Sequence, residues 1–191
     1  MKVTSIFFDL DGTVYSGCSA IAGAVEFIDR LAVSDIEFRF LTNRSDRSSE
    51  EVANHLNSLG ITCNSDLVIT SAMAAAEMVK GRRVAVVGSE NLYKVVEDAG
   101  GFITRDNPVD LLVGFDPKID FNDIGCTCSL LEEGGRFLAT NGDKGIKMNS
   151  RLYPENGIVL AAIESLTKIT PIIVGKPNIS MIDTALKLSL I

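Results

Sequence analysis

Tryptophan is absent from this chain of 191 residues, and histidine occurs once, at His55. A lone histidine with no serine or cysteine nucleophile signature around it argues against a Ser-His or Cys-His hydrolytic arrangement. Next to Leu56 on an amphipathic stretch, His55 reads as a structural or surface residue. The four cysteines, Cys18, Cys63, Cys126 and Cys128, lack the paired spacing of a zinc site and read as free thiols. No segment reaches the roughly 20 apolar residues of a membrane span. The apolar run near the start breaks at Asp9, too early for a signal sequence, so the expected compartment is the cytoplasm. Positive charge is also scarce: 18 Lys and Arg against 25 Asp and Glu give a net charge of -7. That balance argues against nucleic acid and anionic membrane as partners.

Apolar residues make up 46% of the chain, enough for a packed core in one large domain or two small ones. The most informative stretch is Phe7-Phe8-Asp9-Leu10-Asp11-Gly12-Thr13-Val14, an apolar run that ends in two carboxylates, a glycine and a hydroxyl. Residues 3–8 read as a strand buried on both faces, which places Asp9 at its carboxyl end, where open α/β sheets hold their ligands. Two neighbouring carboxylates repel unless a cation sits between them or one is protonated. A hard divalent ion such as magnesium suits them, so Asp9 and Asp11 are the candidate metal ligands. Gly12 allows a tight turn that aims amide hydrogens at an anion, and Thr13 can begin the next turn.

Gly23 then opens a helical pattern through Val25, Ile28 and Leu31, and residues 36–41 form a second strand ending in Thr42-Asn43. A right-handed crossover places Thr42 beside Asp9, with its hydroxyl able to donate to a phosphate oxygen. The Ser-rich residues 45–49 start a helix with Glu50 and Glu51 in its first turn, and Gly60 ends it. Residues 67–70 form a short strand, Ser71 caps an Ala-rich helix reaching Lys80, and Gly81-Arg82-Arg83 marks a domain boundary.

From there a fresh α/β series begins. Strands are expected at 84–87, 111–113 and 137–140, and helices at 90–98, 121–131 and 158–166, a block able to form its own sheet covered by helices. Within it, Thr140-Asn141-Gly142-Asp143 also has the composition of an ordinary turn. After it, residues 171–174 deliver Gly175-Lys176-Pro177, and 178–188 read as helix. Lys176 can neutralise phosphate and the charge between the aspartates. A nucleotide P-loop is excluded, since it needs glycine at 170 and Ser or Thr at 177, where Thr170 and Pro177 stand.

Asp9-Leu10-Asp11-Gly12-Thr13, Leu41-Thr42-Asn43-Arg44-Ser45 and Gly175-Lys176-Pro177, in that order, resemble the motifs of the haloacid dehalogenase superfamily of phosphatases. The inserted α/β block resembles the large cap of one subclass, the NagD-like and nitrophenyl-phosphatase-like enzymes. The resemblance implies a discontinuous Rossmann-like core, residues 1–81 with 169–191, and a cap over 82–168, with hinges near Gly81 and Lys168. It implies Asp9 as a nucleophile that becomes an aspartyl phosphate and Asp11 as general acid and base. Thr42 and Lys176 would complete the catalytic set, with Gly12 and Asn43 binding substrate. Asn141 and Asp143 would contact the leaving group from the cap. Magnesium is the implied cofactor and a small phosphorylated metabolite the implied substrate.

The family's fourth motif, a Gly-Asp pair with a further Asp, has no counterpart before Ile191, and Asp183, inside an expected helix, is a poor substitute. Weaker metal binding is therefore expected. Residues 3–8 are expected to form an apolar, unpaired sheet edge that favours association of copies. A competing reading keeps the fold without catalysis, as a fragment or pseudoenzyme that binds a phosphorylated ligand or a protein partner. A two-component receiver domain is set aside, because it has no room for a block as long as 82–168.

Overall fold

The computed structural model describes residues 3–148 and 150–189; Met1 and Ile191, at the ends of the expected core segments, lie outside them. Contacts divide the chain into two compact units, Met1–Thr42 with Arg47–Thr70, and Asn43–Asp46 with Ser71–Ile191.

The first unit contains β1 (Ser5–Asp9), a hairpin of β2 (Tyr15–Ser16) and β3 (Ser19–Ala20), α1 (Ala24–Ala32), β4 (Glu37–Thr42), α2 (Ser49–Ser58) and β5 (Val68–Thr70). Its parallel sheet has the order β1-β4-β5, with Asp9 in register with Leu41 and Thr42 with Thr70. The apolar spacing of α1 and α2 explains how they cover it: Ile28 and Leu31 from one, and Val52, Ala53 and Leu56 from the other, join Leu10, Val14, Phe38, Phe40 and Val68 in one core. Phe8 packs edge-on to Phe27 and Phe38, with ring centroids 6.0 and 6.3 Å away. Burying a side chain such as Leu56 contributes about 1.5–3 kcal/mol. Ser48 starts α2 with a capping box: its hydroxyl accepts the Glu51 N–H, and the Glu51 carboxylate accepts the Ser48 N–H.

Two expectations change here. β1 is not buried on both faces: Ile6, Phe7 and Phe8 are half-buried, and Ser5 and Asp9 are exposed. The reason is topological, since β1 is the margin of this sheet and β4 is its strand partner among the described residues. The β2–β3 hairpin was not expected, because Ser16-Gly17-Cys18-Ser19 has little strand propensity; Gly17, at φ +60°, makes its tight turn.

The second unit contains α3 (Ser71–Val79), β6 (Arg83–Val87), α4 (Glu90–Asp98), β7 (Phe102–Ile103), β8 (Asp110–Val113), α5 (Phe121–Glu132), β9 (Arg136–Ala139), a hairpin of β10 (Gly145–Met148) and β11 (Arg151–Pro154), α6 (Asn156–Thr167), β12 (Ile172–Ile173) and α7 (Ser180–Ser189). Its parallel sheet has the order β12-β9-β8-β6-β7, and Leu111, Val113, Phe137, Leu160 and Ile163 form a core on one side. The α/β series read from the sequence is thus a sheet of its own.

The break in contacts falls between Thr70 and Ser71, ahead of Gly81. β12 pairs with β9 and α7 packs on α3, so this part of 169–191 groups with the second unit rather than the first. Ser71 is the first residue of α3 rather than its cap, and its hydroxyl donates to the Asn43 carbonyl at 2.7 Å. No helix among the described residues is long and apolar enough to cross a membrane.

Candidate active site

The acidic loop leaves β1 in a shape set by its apolar members. Leu10 and Val14 are buried in the first unit's core, which turns Asp11, Gly12 and Thr13 outward. Asp9 Oδ1 accepts the Leu10 N–H at 2.8 Å, and Oδ2 accepts the Thr13 hydroxyl at 3.3 Å. Each oxygen is therefore held, and the carboxylate has a defined orientation at the strand end. Gly12 has φ +82°, a conformation costly for other residues, and its N–H donates to the Tyr15 carbonyl at 2.8 Å within the loop. Thr42 ends β4, the neighbouring strand, and is 2% exposed. The crossover through α1 thus brings Asp9 and Thr42 to adjacent strand ends, as expected from the sequence.

Tyr15 is a residue that sequence reasoning missed. It is buried, its hydroxyl donates to Asp11 Oδ2 at 3.2 Å, and its ring meets His55 edge-on at 4.9 Å. The signal was its place four residues after Asp11, legible once β2 is known to turn back beside the loop. His55 accordingly packs on an aromatic ring, in keeping with a structural role.

The second unit gathers Asn43, Asn141, Asp143 and Lys176. Asn43 Oδ1 accepts the Lys176 N–H at 2.8 Å, while its Nδ2 donates to the Lys176 carbonyl at 3.3 Å and to Asp143 Oδ2 at 3.0 Å. Asn141, 3% exposed, donates to the same Asp143 oxygen at 3.0 Å. Lys176 is half-buried. Gly175 is required by space: a Cβ there would stand 2.4 Å from the Thr140 carbonyl oxygen and 2.6 Å from Asn43 Oδ1.

Ser45, also missed, fixes the passing segment. It is completely buried, its Oγ accepts the Phe115 N–H at 3.2 Å and the Thr140 hydroxyl at 3.1 Å, and its carbonyl accepts from Asn91 at 2.9 Å. A serine after Thr-Asn-Arg carries no marker of such a role in sequence alone.

The oxygens of Asp9 and Asp11 are the kind of ligand a hard cation prefers. Among the described residues no group of three or more His, Cys, Asp and Glu could hold a metal by itself. Magnesium fits this sparse set, because it keeps several waters and is commonly held by one or two carboxylates together with substrate phosphate.

Parallel α/β units with paired carboxylates and a hydroxyl at adjacent strand ends define a hydrolase of the acidic-loop kind. The chain belongs to the haloacid dehalogenase-like hydrolases, whose family model matches residues 6–101. It is 32% identical over 183 residues to the 5'-nucleotidase YutF of Bacillus subtilis, covering 94% of this chain and 72% of that protein. Among solved structures, it is similar to a glycerol phosphate phosphatase of Mycobacterium tuberculosis in complex with magnesium, at 31% identity and a TM-score of 0.88. That match covers 97% of this chain and 58% of the mycobacterial one. It is also similar to NagD of Escherichia coli, at 29% identity and a TM-score of 0.91, covering 98% of this chain and 75% of NagD.

Proposed function

We propose that this chain is a magnesium-dependent phosphomonoesterase of the cytoplasm, working through an aspartyl phosphate on Asp9. The observation that carries the reading is the acidic loop itself: Asp9, oriented by the Leu10 N–H and the Thr13 hydroxyl, stands at the end of β1 beside the strand that ends in Thr42.

In this reading an Asp9 oxygen forms the bond to phosphorus as the ester oxygen leaves, and Asp11 gives that oxygen its proton. Asp11, then a carboxylate, takes a proton from water; the water oxygen bonds to phosphorus and Asp9 is released. The Thr42 hydroxyl donates to a phosphate oxygen, and Lys176 supplies positive charge. Asp9 through its side chain and Asp11 through its backbone carbonyl would hold magnesium, which would offset the negative charge of the phosphate. The relatives named as a nucleotidase and a glycerol phosphate phosphatase support small phosphomonoesters as the substrate class.

The test is nitrophenyl-phosphate hydrolysis by the 191-residue chain, with and without magnesium, beside Asp9→Asn. The expected result is turnover that needs magnesium and falls by at least about a thousandfold in the variant, the scale on which a covalent nucleophile matters. Equal rates for the two proteins would remove Asp9 from the mechanism.

A further inference from the structure

Resting on the reading that Lys176 serves phosphoryl transfer, we infer that Asp143 is a positioning residue, which locks the Asn43 amide against the backbone of Lys176 instead of contacting the leaving group. A side-chain amide has one accepting and one donating end, and the Lys176 N–H and carbonyl match it in one orientation. A carboxylate only accepts, so Asp143 Oδ2 must be met by Asn43 Nδ2, as it is at 3.0 Å. That choice directs Asn43 Oδ1 at the Lys176 N–H, 2.8 Å away, and the remaining hydrogen of Nδ2 at the Lys176 carbonyl, 3.3 Å away. Asp143 thereby locks Asn43 in the orientation that matches the lysine's main chain.

For this to work, Asp143 must itself be held. The Gly157 N–H donates to the Asp143 carbonyl at 2.8 Å, and the Glu155 N–H to the Lys144 carbonyl at 3.2 Å. Asn156, completely buried, donates to the Asn141 carbonyl at 2.9 Å. The start of α6 thus clamps the 141–144 loop, and the fit leaves no room for a side chain at 157, where a Cβ would lie 2.6 Å from the Gly142 carbonyl oxygen. Asn141, which the sequence placed at the leaving group, spends Nδ2 on Asp143, and its Oδ1 accepts the Thr140 hydroxyl at 3.3 Å. Its amide braces the carboxylate from the other side.

The experiment measures two quantities in the full chain and in Asp143→Asn and Asp143→Ala: hydrogen exchange of the Lys176 amide by NMR, and kcat and KM with magnesium for nitrophenyl phosphate and glycerol phosphate. An asparagine at 143 keeps the size and an acceptor oxygen but removes the charge from the bond to Asn43 Nδ2, so this variant carries the test even if the alanine protein fails to fold. Exchange of the Lys176 amide is expected to quicken about tenfold, as for loss of a charge-assisted hydrogen bond, and kcat to fall about as much for both esters with KM little changed. Unchanged Lys176 exchange in Asp143→Asn overturns the inference, whatever the kinetics. A KM that rises for one ester alone, with exchange unmoved, would instead make Asp143 a leaving-group contact. Faster exchange in a chain whose unmodified form turns over neither ester would uphold the positioning role and defeat the phosphatase reading.

Discussion

Arg136 Nε donates to Asp110 Oδ1 at 2.7 Å, while Arg82 engages the other oxygen of the same completely buried carboxylate. Arg82 immediately precedes β6, Arg136 begins β9 and Asp110 begins β8, so the clamp ties three adjacent strands at their amino ends. The carboxylate holds the Arg82 guanidinium above its usual range through their hydrogen bond and charge attraction. Arg136 also donates to the Met78 carbonyl at 3.3 Å, extending the tie to α3.

Replacing Asp110 by alanine is expected to lower stability by about 3 kcal/mol, the low end for breaking a buried ion pair, because both arginines can rehydrate. Urea unfolding of the two proteins checks it. A midpoint unchanged within error would mean that the clamp contributes nothing net.

Gly175→Ala tests a different constraint. The added methyl meets the Thr140 carbonyl and the Asn43 amide, and backbone there cannot swing aside as a side-chain tip would. A loss of about 1–3 kcal/mol is expected from overpacking, together with faster exchange of the Lys176 amide. Thermal unfolding beside amide exchange measures both.

Burial pushes the Cys63 thiol from its ordinary 9.0 up to about 11. Its Sγ also donates to the Asn64 carbonyl at 3.2 Å. The folded chain binds this proton more tightly than the unfolded one does, so the contribution is intact below pH 9 and is lost as pH rises toward about 11. The loss at the top of that window is about 2 kcal/mol on the scale of 1.36 kcal/mol per unit. Stability followed from pH 8 to 11 should therefore fall more steeply for the unaltered chain than for Cys63→Ala; parallel curves would contradict it.

Much of the first unit was legible because its signals are local and periodic. The apolar run before Asp9, the crossover to Thr42 and the stripe of Val52 and Leu56 each follow from spacing, and the structure places them accordingly. The hairpin at Tyr15 was not legible, since two-residue strands rich in serine carry no alternation to read. The role of Asn43 was only half legible. Its place after Thr42 marked it, but its bond to the Lys176 N–H spans 133 positions, and no local pattern encodes such a partner. Asp110 carries no local mark of its role, because Arg82 and Arg136 are brought to it only by the pairing of β8 with β6 and β9. Long-range polar pairs of this kind depend on topology and lie beyond periodicity.

The stitch made by residues 43–46 bears on how the molecule could be divided. Ser45 supplies a buried hydroxyl to the Phe115 N–H and the Thr140 hydroxyl, yet both flanking stretches of chain are counted with the other unit. A piece beginning at Ser71 would keep every strand of the five-stranded sheet and still take the Ser45 acceptor away from the Phe115 N–H, at about 1–3 kcal/mol if that group stays out of water. The second module of this protein is therefore not an interchangeable cassette: it cannot be excised as one uninterrupted length of sequence with its interior hydrogen bonds intact.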